Sequence, residues 1–163
     1  MQKTLDIQGG RRWPSGALSN FAGHAFVFRG VPCASMEGLL QSFKIKHHAL
    51  QILCCGMDGP AAKKYGSRNN AAWQRRGLLW WQGVEYPRES EQYQALLTEA
   101  YNALFQQSEA FKRALSATGT AQLTHEIGRD DIYETILTEA EFVGQLHRLR
   151  SSLSLLGVSL GGG

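Results

Sequence analysis

The chain has 163 residues, 43% of them apolar and 19% charged, with a formal net charge of +3 and a pI near 8.9. That balance predicts one domain with a substantial core and excludes disordered and collagen-like compositions. No apolar run reaches the roughly 18 residues of a membrane span, and the opening MQKTLDIQGG lacks the apolar stretch of a signal peptide, so a cytoplasmic protein without membrane contact is expected.

Residues 7–23, IQGGRRWPSGALSNFAG, are rich in Gly, Ser and Pro and predict turns and loop. In HAFVFRGVPC, Phe26 and Phe28 share one side of an extended segment and Arg29-Gly30 offers a turn, which predicts a short hairpin. From Ser35 the period becomes helical. Ser35 can cap, Glu37 suits the positive first turn, and Leu39, Leu40 and Phe43 recur at three- and four-residue steps. Gly38 weakens that helix by about 1 kcal/mol relative to Ala; either another backbone or a ligand comes close there, or the residue is a simple propensity defect. ALQILCCGM predicts a second helix, and PAAKKYG a third, with Pro60 in its first turn and Gly66 at its exit.

Residues 67–89 hold three of the four tryptophans and read as a long connection, which in a globular chain is either functional or conceals regular elements. SEQYQALLTEAYNALFQQ places Tyr93, Leu96, Leu97, Ala100, Tyr101, Leu104 and Phe105 on one helical face. Ser108 opens a shorter helix that Gly119 ends, AQLTHEIGRDD predicts an extended segment and a turn, and Thr138-Glu139-Ala140-Glu141 is a capping box before a last helix. The fold class expected is mainly α within α+β: a helical domain over residues 1–156 with a small N-terminal hairpin, and a disordered Gly-rich tail over residues 157–163.

Cys33, Cys54 and Cys55 form neither a CxxC pair nor zinc spacing with histidine, and the five histidines show no HExxH pattern, so no metal is expected. Lys63, Lys64, Arg68, Arg75 and Arg76 concentrate positive charge and suit an anionic partner. In SMEGLLQSFK, residues 35–44, Glu37, Gln41 and Lys44 fall at i, i+4 and i+7, within about 60° of one another on a helix. Such a stripe is either a solvated face closed by an i,i+4 hydrogen bond or a polar face turned inward. LSNF at residues 18–21 adds an amide and a ring, and Trp73, Trp80 and Trp81 add flat surfaces able to stack on a base.

The order LSNF, aromatic hairpin, S-x-E-x-x-x-Q-x-x-K, GPAAKKYG, a Trp-containing loop, a helix ending ALF, and FKRALSATGTAQLTH resembles the YbiA-like N-glycosidase family, also called NADAR, from about residue 17 to 133 and again in the last helix. The resemblance implies a compact, mainly helical, metal-independent hydrolase that uses no cofactor. It implies cleavage of the C–N bond between ribose C1 and a base, either on a small ribosylated or ADP-ribosylated molecule such as a phosphoribosylamino intermediate of the riboflavin pathway, or on ADP-ribosylated guanine in DNA or RNA. Carried over, Glu37 is the acid/base carboxylate and Lys44 the amine that attacks C1 to form a Schiff base. Asn20 and Phe21 line the sugar or base pocket, and Gln41 orients the substrate. Arg68 receives phosphate, Trp73 or Trp80 stacks on the base, and His125 and Asp130 are further polar contacts. Ile132-Tyr133-Glu134 and Glu139-Ala140-Glu141 replace the family's Trp-Gly pair and its Asn near the last helix, which implies a different substrate preference. Two other classes fit the same residues: a module that holds ADP-ribose, NAD or a nucleotide without turnover, and a helical nucleic-acid-binding protein, for which +3 is a modest charge.

Overall fold

The computed structural model describes residues 3–155, so the tail over residues 157–163 lies outside the described residues. The chain runs β1 (Thr4–Asp6), α1 (Ser15–Leu18), β2 (Phe26–Phe28), β3 (Val31–Cys33), α2 (Met36–Ser42), α3 (His48–Cys55), α4 (Gly59–Ser67), α5 (Asn70–Arg76), β4 (Leu78–Trp81), β5 (Val84–Pro87), α6 (Glu91–Gln107), α7 (Glu109–Ala117), β6 (Gln122–Thr124) and α8 (Glu139–Leu155). The class is the expected one, helical with small sheets. β2 and β3 pair antiparallel, as do β4 and β5, while β1 and β6 pair in parallel across almost the whole sequence.

Two corrections concern the β structure. The hairpin at β2 and β3 is as expected, with Arg29 at φ 47° and Gly30 at φ 82° supplying the left-handed turn that matches strand twist. The long connection, however, is α5 followed by a second hairpin, whose turn Gln82-Gly83 repeats the first at φ 44° and 87°. The N-terminal stretch read as loop contains α1 and is preceded by β1.

Every residue of α2 is buried. Ser35 caps it by accepting from Gly38 N–H at 3.1 Å. On one side the C-terminal carbonyls of α3 approach so closely that a Cβ at Gly38 would sit 2.8 Å from Cys55 O, which makes this glycine a packing requirement. On the other side lies α6, whose face Tyr93, Leu96, Leu97, Ala100, Tyr101, Leu104 and Phe105 is buried as its period predicts. Phe28, Phe43, Trp81 and Tyr93 meet edge-to-face around it. The capping box closes as expected: Thr138 N–H donates to Glu141 Oε1 at 2.7 Å, and Glu141 N–H to Thr138 Oγ1 at 3.1 Å. Cys33, Cys54 and Cys55 are free and buried. Among the described residues, no helix is long and apolar enough to cross a membrane, and no group of three His, Cys, Asp or Glu side chains could hold a metal ion.

Candidate functional site

A cleft of about 640 Å³ opens beside α2, walled by α4 and α5, by the segments 8–10 and 19–21 on either side of α1, and by the segment 125–137. Glu37, Gln41 and Lys44 all line it, with 8%, 6% and 8% of their surface exposed. Burial of that order decides against a solvated stripe, because a charged side chain is left out of water only where something else is gained. Lys44 itself lies two residues past the end of α2, in a turn where its N–H reaches Gln41 O at 3.1 Å.

Glu37 and Gln41 hold each other, and Lys44 has a partner of its own. Gln41 Nε2 donates to Glu37 Oε1 at 2.8 Å, the i,i+4 bond that the spacing allows. Gln41 fits only because Gly66 of α4 has no side chain: a Cβ there would overlap Gln41 Oε1 and stand 2.9 Å from its Cβ and Cδ. Gly66 therefore stands in the last turn of α4, one residue before its end and close to the exit its sequence position predicts, and there it also seats Gln41. Lys44 Nζ donates to Asn70 Oδ1 at 2.6 Å. Among the described residues neither Glu37 nor Lys44 forms an ion pair.

Burial pushes both groups toward their neutral forms. It raises the Glu37 carboxyl above its ordinary value, against the hydrogen bond from Gln41 and the charges of Lys63, Lys44 and His125. It lowers the Lys44 ammonium from 10.5 to about 8, against the pull of Glu37. A carboxylic acid able to give a proton and an amine able to offer a lone pair thus share one cleft.

Asn20 and Phe21 form the near wall. Asn20 O accepts from Glu37 N–H at 2.9 Å, and Asn20 Oδ1 from the buried Tyr101 hydroxyl at 2.6 Å. Phe21 is 37% exposed, lies against Gly59, where a Cβ would come within 2.8 Å of it, and carries Lys63 Nζ 5.7 Å above its ring. His125 closes the floor, its Nδ1 2.7 Å from Ile7 O and its ring edge-on to Phe142.

The profile of the family described as "Bacteriophage protein GP30.3" matches residues 12–151. The chain belongs to that family. It is 42% identical over 153 residues, 91% of this chain and 98% of the other, to the "Uncharacterized 17.1 kDa protein in Gp30-rIII intergenic region" of Enterobacteria phage T4. Its fold is that of the E. coli protein YbiA, with a TM-score of 0.66 over 96% of this chain and 89% of YbiA at 16% identity. The YbiA-like resemblance read from the sequence is therefore matched in the fold.

In this GP30.3-family chain four expected contacts stay away from the cleft. Trp73 and Trp80 are 1% and 5% exposed and belong to the interior, so neither offers a face to a base; Phe21 is the ring available. Arg68 follows α4 and stacks on Tyr65 instead, 5.6 Å from its centroid. Asp130 is exposed and does not line the cleft, whereas its neighbour Arg129 does. Sequence reasoning missed Asn70 and Gln74, hidden in the stretch read as loop, though their i,i+4 spacing within NAAWQRR was a signal. The changed residues at the last helix are structural: Glu139 Oε1 accepts from His125 N–H at 3.1 Å, and Glu141 holds Arg88 through two hydrogen bonds of 2.6 and 3.1 Å.

Proposed function

We propose that this cleft cleaves the N-glycosidic bond of a ribosylated base, with Glu37 as acid/base and Lys44 as attacking amine. One observation carries the reading: a buried carboxyl and a buried amine in one cleft, each shifted toward its neutral form and each held by an amide. The C1–N bond breaks with its electron pair going to the base nitrogen, which takes the Glu37 proton. Positive charge building at C1 is then stabilised by the carboxylate left behind. The Lys44 lone pair bonds to C1 and the nitrogen's surplus proton returns to Glu37. Opening of the C1–O4 bond, with that proton passing to O4, leaves a Schiff base that water hydrolyses. Phe21 stacks on the substrate, Gln41 orients Glu37, and Lys63 and Arg129 at the rim take the phosphate role first given to Arg68. His125 offers its second ring nitrogen to the sugar or base.

The substrates to try are ADP-ribosylated guanine in DNA and a phosphoribosylaminopyrimidine. Wild type and Lys44→Ala are incubated with each, borohydride is added, and base release and intact mass are read. Base release with a sugar adduct trapped only on wild type is expected, and trapping should rise with pH through about 8 as Lys44 loses its proton. No release with either substrate, together with thermal stabilisation by the ligand, would replace the glycosidase with a nucleotide-holding module.

A further inference from the structure

Asn70 begins α5, and its Oδ1 stands 2.6 Å from Lys44 Nζ. The same helix is fastened on both sides. Trp73, 1% exposed, anchors it in the interior, and Gln74, one turn beyond Asn70, donates from Nε2 to Glu134 O at 3.1 Å across the cleft. α5 thus ties the turn that carries Lys44 to the opposite wall, at a register set by a buried tryptophan.

We propose that Asn70 is the positioning residue for the Lys44 amine: its side-chain oxygen accepts one N–H of Nζ, which keeps the nitrogen lone pair off Asn70 and leaves it to the two remaining directions, toward the cleft. A neutral amine has two N–H groups and one lone pair at tetrahedral angles, and it spins freely about Cε–Nζ unless one N–H is held. Attack on C1 needs the lone pair in line at roughly 3–3.5 Å, so this restraint acts on turnover and not on binding. The residue type matters as much as the distance. A carboxylate at this place would hold the ammonium form through charge, whereas an amide accepts the hydrogen bond and leaves the amine free to lose its proton. The inference rests on Lys44 as the attacking amine.

The test uses Asn70→Asp and Asn70→Ala, with thermal midpoints to confirm folding; an aspartate suits the first turn of a helix. Lys44 is titrated without substrate by following its reductive methylation by formaldehyde and cyanoborohydride against pH, read on the Lys44 peptide. Base release is measured in parallel. Asn70→Asp should move the methylation midpoint up by about one pH unit or more. Its base release should fall at pH 7 and recover at higher pH. Asn70→Ala should lower kcat about tenfold or more with KM nearly kept. An unmoved methylation midpoint in Asn70→Asp overturns the proposal, as does an unchanged kcat in Asn70→Ala. A moved midpoint in a protein whose wild type releases no base supports the placement of the amine by Asn70 and counts only against the glycosidase.

Discussion

Lys44 shows how a functional reading and a stability reading of one residue pull apart. Its ammonium holds its proton less tightly in the fold, about 8, than in the unfolded chain at 10.5, so the unfolded state binds more protons between those pH values. Stability of the wild type should therefore rise with pH from about 8 to 10.5, and the charge is a burden below that window. Lys44→Met, which keeps the bulk and loses the charge, removes a burden of about 3 kcal/mol at pH 7, offset by about 1 kcal/mol for the hydrogen bond to Asn70 that it also removes, so the unfolding free energy is expected to rise by about 2 kcal/mol. The gain should vanish above pH 10.5. Urea unfolding at pH 7 and 10.5 checks both, and a destabilised variant at pH 7 would mean that the ammonium is better paired than its surroundings indicate. Single residues were legible only in part: spacing put Glu37, Gln41 and Lys44 on one side but left open whether that side met solvent or turned inward, Lys44 reaches the cleft from the turn after α2, and Asn20 and Phe21, singled out through LSNF and the family resemblance, line it with them. Trp73 and Trp80 were not, because a tryptophan's large apolar face serves an interior and a stacking platform equally well, and only burial tells the two apart.

Between elements, the contact of α2 with α4 fixes the acid. Gly66→Ala would ordinarily gain about 1 kcal/mol of helix propensity. Here the new methyl meets the Gln41 side chain, and overpacking of this kind costs about 1–3 kcal/mol. Gly66→Ala should be less stable than wild type and slower in base release, because Gln41 must leave Glu37. Adding Gln41→Ala should restore the melting temperature and not the activity. The joint between Arg88 and α8 carries a different risk. Arg88 is 2% exposed, donates to Thr135 O at 2.9 Å and is bridged to Glu141, so Glu141→Ala both opens the capping box and leaves a buried cation unpaired. A loss of about 3 kcal/mol is expected in urea unfolding, and Arg88→Met with Glu141→Leu should recover part of it. Long amphipathic elements such as α6 were readable because their period repeats over many residues. α5 and the β4–β5 hairpin were not, since each is short and the apolar residues of β4 run together as LLWW, although Gln82-Gly83 carried the same turn signal as Arg29-Gly30. The parallel pairing of β1 with β6 lies beyond any local pattern, because Leu5 and Leu123 are partners from opposite ends of the sequence.

At the scale of the molecule, the charge that looks continuous along the chain is divided by the fold. Of Lys63, Lys64, Arg68, Arg75 and Arg76, only Lys63 lines the cleft, and Arg129, from a distant segment, joins it there. Arg129 is also drawn to Glu134, 3.6 Å away, in an exposed pair that holds little energy and leaves the guanidinium available. Two rim cations beside a 640 Å³ cleft distinguish a polymer from a free nucleotide by their response to salt. A single strand whose phosphates meet both cations releases about two counterions on binding. Affinity for modified single-stranded DNA should then fall about sevenfold between 50 and 200 mM salt, from a slope near −0.7 per phosphate contact. Lys63→Gln should halve that slope while weakening binding at low salt. A small phosphoribosyl substrate brings one phosphate for both cations to share, so its KM should change about half as steeply in logarithmic terms and respond to Lys63→Gln and to Arg129→Gln alike. Binding isotherms for the two substrate forms at four salt concentrations separate the cases. A flat profile for the polymer would place its backbone away from Lys63 and Arg129 and leave the cleft to a free nucleotide.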